Sequence, residues 1–141
     1  MLRPIHSVEL RHMNPTSILI FALLPVCDGL FGFGRLQSAT VVGTLRCYGV
    51  PASKVKVVLF DRELFLPDTY LDRGETDRNG EFYLFGEKRE FTNIEPYVKI
   101  YHKCNYNGSG FDEREIDIAD KCITKGRNST FYLGIVNLEE K

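Results

Sequence analysis

Cysteine is the residue type in this sequence with the clearest chemistry, because two thiols can form a disulfide and a lone thiol can react further. The chain of 141 residues contains four Cys, three His and no Trp. Three cysteines, Cys47, Cys104 and Cys122, follow an apolar segment near the N-terminus, and no two of them form a Cys-x-x-Cys pair. This spacing indicates one disulfide and one leftover thiol in an oxidising compartment, rather than a metal or redox centre.

His102 is the only histidine after the apolar segment, so the domain cannot build a zinc site from two or three histidines. Its position beside Ile100 on a predicted apolar strand face favours a hydrogen-bonded core histidine over a general base. A Cys/His pair with Cys104 is open geometrically, but a disulfide would consume that thiol. The sequence has no glycine-rich phosphate loop and no nucleophile elbow. We therefore expect no catalytic residue, no metal and no cofactor.

An alternating aromatic and basic series is the one candidate ligand surface. Such surfaces suit anionic headgroups, glycans or protein partners. An ordinary exposed or sheet-packed strand face produces the same pattern. The series, called the ladder below, consists of Tyr97, Lys99, Tyr101 and Lys103.

Two Asn-x-Ser/Thr triplets are candidate glycosylation sites. They begin at Asn107 and Asn128, and both fall in predicted loops. Glycosylation requires passage through the secretory pathway, and unmodified polar turns are the alternative.

The N-terminal segment has the pattern of a secretory signal. Residues 17–26 form an apolar run as long as a signal-peptide core and too short to span a bilayer. Gly32 and Gly34 place small residues at the −3 and −1 positions of a cleavage after Gly34. We interpret residues 1–34 as a signal peptide, with Met13 as an alternative start, and residues 35–141 as one domain. A buried helix and a membrane anchor are the alternatives.

The charge balance excludes some partner classes. The chain has 18 Lys+Arg and 19 Asp+Glu, a formal net charge of −1, and 12% aromatic residues. This composition argues against a strongly basic nucleic-acid binder and against a disordered chain.

The elements that must position these residues are short strands. Polarity alternates with period two, turn residues such as Asn79-Gly80 separate the runs, and helical periodicity is not sustained. This pattern predicts an all-β fold, an antiparallel β-sandwich of about seven strands. The predicted strands are residues 41–48, 54–61, 68–75, 81–85, 97–104, 114–118 and 130–138.

Strand order favours one disulfide. If successive strands alternate in direction, the first and fifth strands end at the same pole of the sandwich. Cys47 and Cys104 then come within reach of each other, while Cys122 follows the sixth strand and lies at the other pole. We therefore expect a bond from Cys47 to Cys104 and a free or intermolecular Cys122; a pairing of Cys104 with Cys122 is the competing outcome.

Five stretches of the sequence form a recognisable set. They are QSATVVGTLRC (37–47), PASKVKVVLF (51–60), TDRNGEF (76–82), EFTNIEPYVKIYH (90–102) and YLGIVNL (132–138). Together they resemble the nematode transthyretin-like family of secreted proteins. The resemblance implies an extracellular or cell-surface protein of the prealbumin-like fold with binding or bridging functions, including recognition of phosphatidylserine on dying cells. Typical members have a further Cys soon after the one matching Cys104; this chain has Cys122 instead.

These observations lead to two hypotheses about function. The first is a secreted, non-enzymatic binding module that acts at cell surfaces or in the extracellular space and bridges an anionic lipid or surface ligand to a receptor. The alternative is a carrier of a small hydrophobic ligand in a cavity or oligomer channel. The related hydroxyisourate hydrolases end in Tyr-Arg-Gly-Ser, whereas this chain ends in Asn-Leu-Glu-Glu-Lys, so we do not expect that activity. We expect an extracellular protein receptor or an anionic membrane surface as partner, no nucleic acid and no transmembrane segment; a homodimer through an edge strand or Cys122 is open.

Overall fold

The computed structural model describes residues 34–119, 123 and 130–140. The predicted signal peptide up to residue 33, Cys122 and Asn128 lie outside these ranges. The period-two pattern produces strands throughout the described part of the chain. They are β1 (Arg35–Cys47), β2 (Val50–Pro51), β3 (Lys56–Asp61), β4 (Thr69–Glu75), β5 (Glu81–Glu90), β6 (Pro96–His102), β7 (Asp112–Asp117) and β8 (Thr130–Asn137).

The strands form two four-stranded sheets. In the first sheet, β1 pairs antiparallel with β2 and β5 and parallel with β8. The second sheet has the order β4-β3-β6-β7, and all its pairs are antiparallel. The predicted β-sandwich is confirmed. One pair, β1 with β8, is parallel rather than antiparallel. This is possible because β8 does not follow β1 directly along the chain, so no hairpin joins the two strands.

The hydrophobic core lies between the two sheets, because alternate residues of each central strand point inward. The strand face of β6 that the sequence predicts to be apolar, which carries Ile100 and His102, is buried. Fully buried core side chains include Val41 and Leu45 of β1, Val57 and Leu59 of β3, Leu84 of β5, and Val98 and Ile100 of β6.

The turn between β4 and β5 follows from local chemistry. The carboxylate of Asp77 accepts hydrogen bonds from the backbone N–H groups of Asn79 (2.8 Å) and Glu81 (2.9 Å). Gly80 has a φ of +76°, and a Cβ at this position would lie 2.3 Å from the carbonyl oxygen of Leu45. The turn therefore requires glycine both for its backbone angle and for the close approach of β1.

Two strands are longer than the sequence pattern predicts. Strand β1 begins at Arg35 rather than residue 41, and β5 ends at Glu90 rather than residue 85. The extensions bury Gln37 and partly bury Lys88, polar residues that weaken the alternation of apolar and polar positions. Among the described residues, no helix is long and apolar enough to cross a membrane.

Candidate functional site

The predicted disulfide between Cys47 and Cys104 is present. Cys47 ends β1 in the first sheet, and Cys104 follows β6 in the second sheet by two residues. Their Cα atoms are 5.8 Å apart and their sulfurs are bonded at 2.00 Å. Three strands of six or more residues, β3 to β5, lie between β1 and β6 along the chain. This is the number of strands on which the predicted pairing of Cys47 with Cys104 depends. The bond ties the two sheets together at one pole, which we call the disulfide pole.

The ladder residues differ in their exposure. Tyr97 is only 4% exposed, Lys99 and Tyr101 are half-buried, and Lys103, just beyond β6, is exposed. The Tyr97 ring stacks on Phe60 with centroids 5.5 Å apart. Tyr97 is therefore a packing residue, although the spacing predicted that it belongs to a ligand surface.

The basic members of the ladder have intramolecular contacts. The Lys99 ammonium lies 2.8 Å from Glu113 and 3.4 Å from Glu115, both on β7. The hydrogen bond to Glu113 raises the pKa of Lys99 above its ordinary value. The Lys103 ammonium lies 5.3 Å from the centroid of the Phe111 ring. The ladder as a ligand surface stays a prediction, and its most exposed cation is Lys103.

The most exposed apolar side chains lie elsewhere, in the loop between β3 and β4. Leu64, Phe65 and Leu66 are 84%, 95% and 71% exposed. We call these three residues the apolar tip. Contiguous apolar side chains that face solvent are typical of surfaces that bind another molecule.

Hydrogen bonds close the base of the loop that carries the apolar tip. The backbone N–H of Glu63 donates to the Asp68 carboxylate (3.0 Å), and the N–H of Arg62 donates to the carbonyl oxygen of Glu95 (3.0 Å). The hydroxyl of Tyr97 donates to the other oxygen of Asp68 (2.7 Å). The loop is therefore held at both of its ends, and the apolar tip projects from a defined base.

A cluster of charged side chains lies beneath this loop. The ammonium of Lys88, on β5, lies 2.9 Å from Asp61 and also pairs with Glu63 and Glu90. It donates a further hydrogen bond of 3.1 Å to the hydroxyl of Thr69. Although burial lowers the pKa of Lys88, its hydrogen bonds to the three carboxylates outweigh this effect and raise the pKa. The hydrogen bond from Lys88 in turn lowers the pKa of Glu63.

The same cluster is the group of carboxylates best placed to hold a metal ion in the described part of the chain. The ligand oxygens of Asp61, Glu63 and Glu90 lie within 4.8 Å of one another. However, the Lys88 ammonium already bonds to all three and supplies the counter-charge. We interpret the cluster as a structural support for the loop.

Acidic side chains surround the base of the apolar tip. Within the described residues, the carboxylates in and beside its bonding network number eight and the basic groups number four, which gives a formal charge of −4. Seven of the carboxylates belong to the Lys88 cluster and to four exposed residues that we call the acidic collar, and the eighth is Glu113, which pairs with Lys99. The basic groups are Lys88, Arg62, Arg35 and Lys99. The acidic collar consists of Asp68, Glu95, Glu115 and Asp117.

A shallow groove on the outer face of the first sheet is a second apolar surface. It has a volume of about 520 Å³ and lies across β1, β5 and β8. Tyr83, Tyr132 and Ile135 line it, and Tyr132 is 77% exposed. The groove is open to solvent along its length rather than enclosed.

Comparison with known proteins gives the family. The model of the Transthyretin-like family matches residues 42–125, which is more than half of the chain. The chain belongs to the Transthyretin-like family. This confirms the resemblance seen in the sequence.

This member of the Transthyretin-like family has several relatives in Caenorhabditis elegans. It is 40% identical to Transthyretin-like protein 46 over 132 residues, which cover 90% of this chain and 72% of that protein. It is 36% identical to Transthyretin-like protein 5 over 125 residues, which cover 85% of this chain and 89% of that protein. Membership indicates a module of the binding or carrier type, and the names of these relatives designate transthyretin-like proteins rather than enzymes.

One solved structure also matches part of this Transthyretin-like chain. It is the crystal structure of a 9R-lipoxygenase from Cyanothece, which is 18% identical and matches 72% of this chain over 16% of its own length. The TM-score of 0.40 is too low for this likeness to carry an argument.

His102 of this Transthyretin-like chain lies on the core-facing side of β6 and is buried, as the strand pattern predicted. Its Nδ1 has no hydrogen-bond partner among the described residues, whereas the sequence led us to expect a hydrogen bond. The nearest thiol candidate, Cys104, is bonded to Cys47. The disulfide therefore leaves no free thiol at Cys104 that could form a Cys/His pair with His102.

One of the two predicted glycosylation sites lies within the described residues. Asn107 lies in the loop between β6 and β7 and is exposed. This loop follows Cys104 and so lies at the disulfide pole, while the apolar tip lies near the opposite end of β6. Asn128 lies outside the described residues.

Sequence reasoning from period-two alternation missed the apolar tip. The run Leu64-Phe65-Leu66 breaks the alternation after β3 and ends at Pro67. Three consecutive apolar residues in a segment that cannot continue the strand are the signal that could have drawn attention to it.

Proposed function

We propose that this protein is a secreted, non-enzymatic binding module that contacts its partner through the apolar tip, at cell surfaces or in the extracellular space. The observation that carries the proposal is the exposure of Leu64, Phe65 and Leu66 on a loop whose base is closed by hydrogen bonds. Burying three such side chains against a partner contributes roughly 5–9 kcal/mol before the costs of association. A loop held at both ends loses less conformational entropy on binding, so more of this contribution remains.

Secretion is the second part of the proposal, and three features support it. Residues 1–34 have the pattern of a signal peptide. The disulfide of Cys47 and Cys104 is typical of proteins from oxidising compartments. The third feature is the exposed acceptor triplet at Asn107, because such sites are glycosylated on secreted proteins, and a glycan at the disulfide pole would leave the apolar tip accessible.

The third part is a bridging role, in which an anionic lipid or surface ligand is joined to a receptor. A bridge needs two separate contact surfaces. The apolar tip supports one of them, and the exposed end of the ladder at Lys103 supports an anionic contact near the opposite end of β6. The test for the anionic contact is flotation of Lys103→Gln and wild-type protein with vesicles that contain phosphatidylserine; equal flotation would count against the ladder.

Cell binding tests the role of the apolar tip. Fluorescently labelled protein is added to intact cells from Caenorhabditis elegans, the source of the relatives, and bound label is measured by flow cytometry. We expect the triple variant Leu64→Ser, Phe65→Ser and Leu66→Ser to lose most of the bound label, because these side chains pack on no core residue. The matched control is Tyr132→Ser, which removes from the groove a ring that is 77% exposed. Equal binding by the triple variant and wild type would refute the proposal.

Carriage of a small hydrophobic ligand is the second candidate function, and the groove across β1, β5 and β8 favours it. Its volume of about 520 Å³ lies in the range of small-molecule sites. The measurement is the change in melting temperature with a panel of fatty acids and retinoids. A rise that Tyr132→Ala abolishes and Phe65→Ser leaves intact would place carriage in the groove.

A further inference from the structure

We infer that the partner of the apolar tip is a protein that receives Phe65 in an apolar pocket bordered by Lys and Arg side chains. This inference rests on the proposed function and states the chemistry of the partner at that same site. It is carried by the shape of the apolar tip together with the charge of the acidic collar.

The apolar tip has the shape of a knob. Phe65 is at its centre and is 95% exposed, with a leucine on each side. Pro67 follows immediately and restricts the backbone at the exit of the turn. An aromatic side chain that projects from a rigid base fits a concave, desolvated pocket, which is the usual setting of the residues that dominate protein interfaces.

The acidic collar stands close behind this knob. Asp68 is two residues from Leu66, a separation of at most about 7 Å along an extended chain. Glu95 lines the same depression as Leu64, Phe65 and Leu66. A surface that accepts the apolar tip therefore also meets these carboxylates, within about one Debye length at physiological ionic strength.

Contacts within the protein favour the ionised form of Asp68 and leave the collar with more carboxylates than cations. Asp68 accepts hydrogen bonds from the N–H of Glu63 and the hydroxyl of Tyr97, which lower its pKa. Asp117 and Glu115 both bond to Arg62, at 2.8 Å and 3.3 Å, and Glu115 also shares Lys99 with Glu113, so two cations serve three carboxylates. The surplus of negative charge remains.

The negative charge of the collar determines which kinds of surface can bind the apolar tip favourably. An anionic bilayer would repel the acidic collar as the apolar tip inserted. A zwitterionic bilayer has no net charge, so the collar would add little electrostatic attraction to the binding. A protein pocket bordered by Lys and Arg would be attracted to the collar, which increases both the association rate and the specificity. The combination of knob and collar therefore favours a protein with a basic rim around an apolar pocket.

A displayed library of random peptides is the probe that tests this inference. The library is panned on immobilised wild-type protein after depletion on the triple variant Leu64→Ser, Phe65→Ser and Leu66→Ser. We expect the enriched peptides to combine aromatic or aliphatic residues with several Lys or Arg. Their affinity should fall about fivefold or more when the salt concentration rises from about 0.05 to 0.5 M.

A charge-neutral variant tests the collar itself. Glu95→Gln with Asp117→Asn keeps the shape of the collar, removes two charges and should weaken the enriched peptides about threefold or more. The matched control is Glu75→Gln with Glu81→Gln, which removes two exposed charges at the opposite ends of β4 and β5. We expect this control to bind as wild type does.

Vesicles provide the opposing outcome. Flotation is measured with phosphatidylcholine vesicles, with and without phosphatidylserine, for wild type and the triple variant. Binding that depends on the apolar tip in either vesicle would overturn the inference, and so would an enriched peptide set without basic residues or without dependence on the tip. If the triple variant also binds cells normally, the proposed function fails; if it loses cell binding, the function stands and only the partner chemistry is wrong.

Discussion

The hydroxyl of Tyr97 donates a hydrogen bond of 2.7 Å to the carboxylate of Asp68. Tyr97 belongs to β6 in the second sheet, and Asp68 closes the loop that carries the apolar tip. The Tyr97 ring itself contacts Phe60 and the guanidinium of Arg62, with distances from the ring centroid of 5.5 Å and 4.5 Å. A residue of the sheet therefore orients the exposed loop, which connects packing of the fold to the proposed binding surface.

Tyr97→Phe removes this hydrogen bond without changing the ring. We expect the free energy of unfolding to fall by about 1 kcal/mol, since the exposed Asp68 carboxylate can be solvated instead. Urea unfolding followed by circular dichroism measures the difference. The control is Tyr83→Phe, because the Tyr83 hydroxyl is exposed on β5 and has no hydrogen-bond partner among the described residues. Equal stabilities of the two variants would show that the bond to Asp68 contributes nothing.

The same tyrosine predicts a loss of stability at alkaline pH. Burial, reinforced by the hydrogen bond to Asp68, raises the pKa of Tyr97 to about 12, whereas an unfolded chain ionises at about 10. The folded state holds this proton more tightly, so the contribution is fully present below pH about 10 and is lost as the pH rises towards 12. Urea unfolding between these pH values measures it. Tyr97→Phe should show a smaller decline, and an identical decline would contradict the assignment.

Lys88→Met tests the charged cluster beneath the loop. The substitution leaves Asp61, which is 1% exposed, without its cationic partner. We expect a loss of about 3 kcal/mol at pH 7, as for other buried ion pairs from which one partner is removed.

The pH dependence of this loss has a definite sign. Lys88 lowers the pKa of Glu63, so the contribution of this pair is present above the unfolded pKa of about 4.3 and is lost as the pH falls below it. The deficit of Lys88→Met should therefore shrink as the pH is lowered below about 4 in urea unfolding. Arg73→Met, an exposed position on β4, serves as the control. A deficit that stays constant with pH would mean that lost packing, and not charge, is responsible.

Replacing both Cys47 and Cys104 by Ser opens a loop with a sequence separation of 57 residues. In the chain-entropy description this costs about 4 kcal/mol of stability. Denaturant unfolding measures the cost, and non-reducing peptide mapping identifies the bond. Cys122→Ser should leave the Cys47 to Cys104 peptide intact. Recovery of a Cys104 to Cys122 peptide from the wild-type protein would contradict the structure.

Asn107→Gln should increase the electrophoretic mobility of protein secreted from eukaryotic cells, because it removes one glycan. The exposure of Asn107 makes this site accessible to the transferase. Asn128→Gln tests the second triplet in the same way. Asn79→Gln changes an exposed asparagine that is not in a glycosylation triplet, so its mobility should equal that of wild type. Unchanged mobility of Asn107→Gln would mean that the site is not used.

The sequence alone determined the features that depend on local chemistry. Alternation of apolar and polar residues identified the seven main strands, since a strand with one buried face requires that period. Asp77 and Gly80 specified their turn through an Asx hydrogen bond and a positive φ. The pairing of Cys47 with Cys104 followed from counting strands, because reversal of direction at each connection determines which strand ends share a pole.

The full extent of β1 and β5 was decided by tertiary contacts. Gln37 is buried because its side-chain amide donates to the carbonyl of Thr92 at 2.6 Å and accepts from the N–H of Ile94 at 3.2 Å, more than fifty residues along the chain. Lys88 is partly buried because carboxylates that are distant in the sequence, such as that of Asp61, form ion pairs with its ammonium group. A polar residue can be placed inside only when such partners are present, and the pattern around it does not reveal them.

Exposure was likewise decided by the tertiary structure. The ladder spacing placed Tyr97 on an outer face, but Phe60 and Arg62 cover it there. Leu64, Phe65 and Leu66 have the composition of a core segment, yet they lie where the chain leaves β3 and no other element packs on them among the described residues. The physical reason is that burial depends on which segments meet in space, whereas the sequence specifies only what each segment prefers to bury.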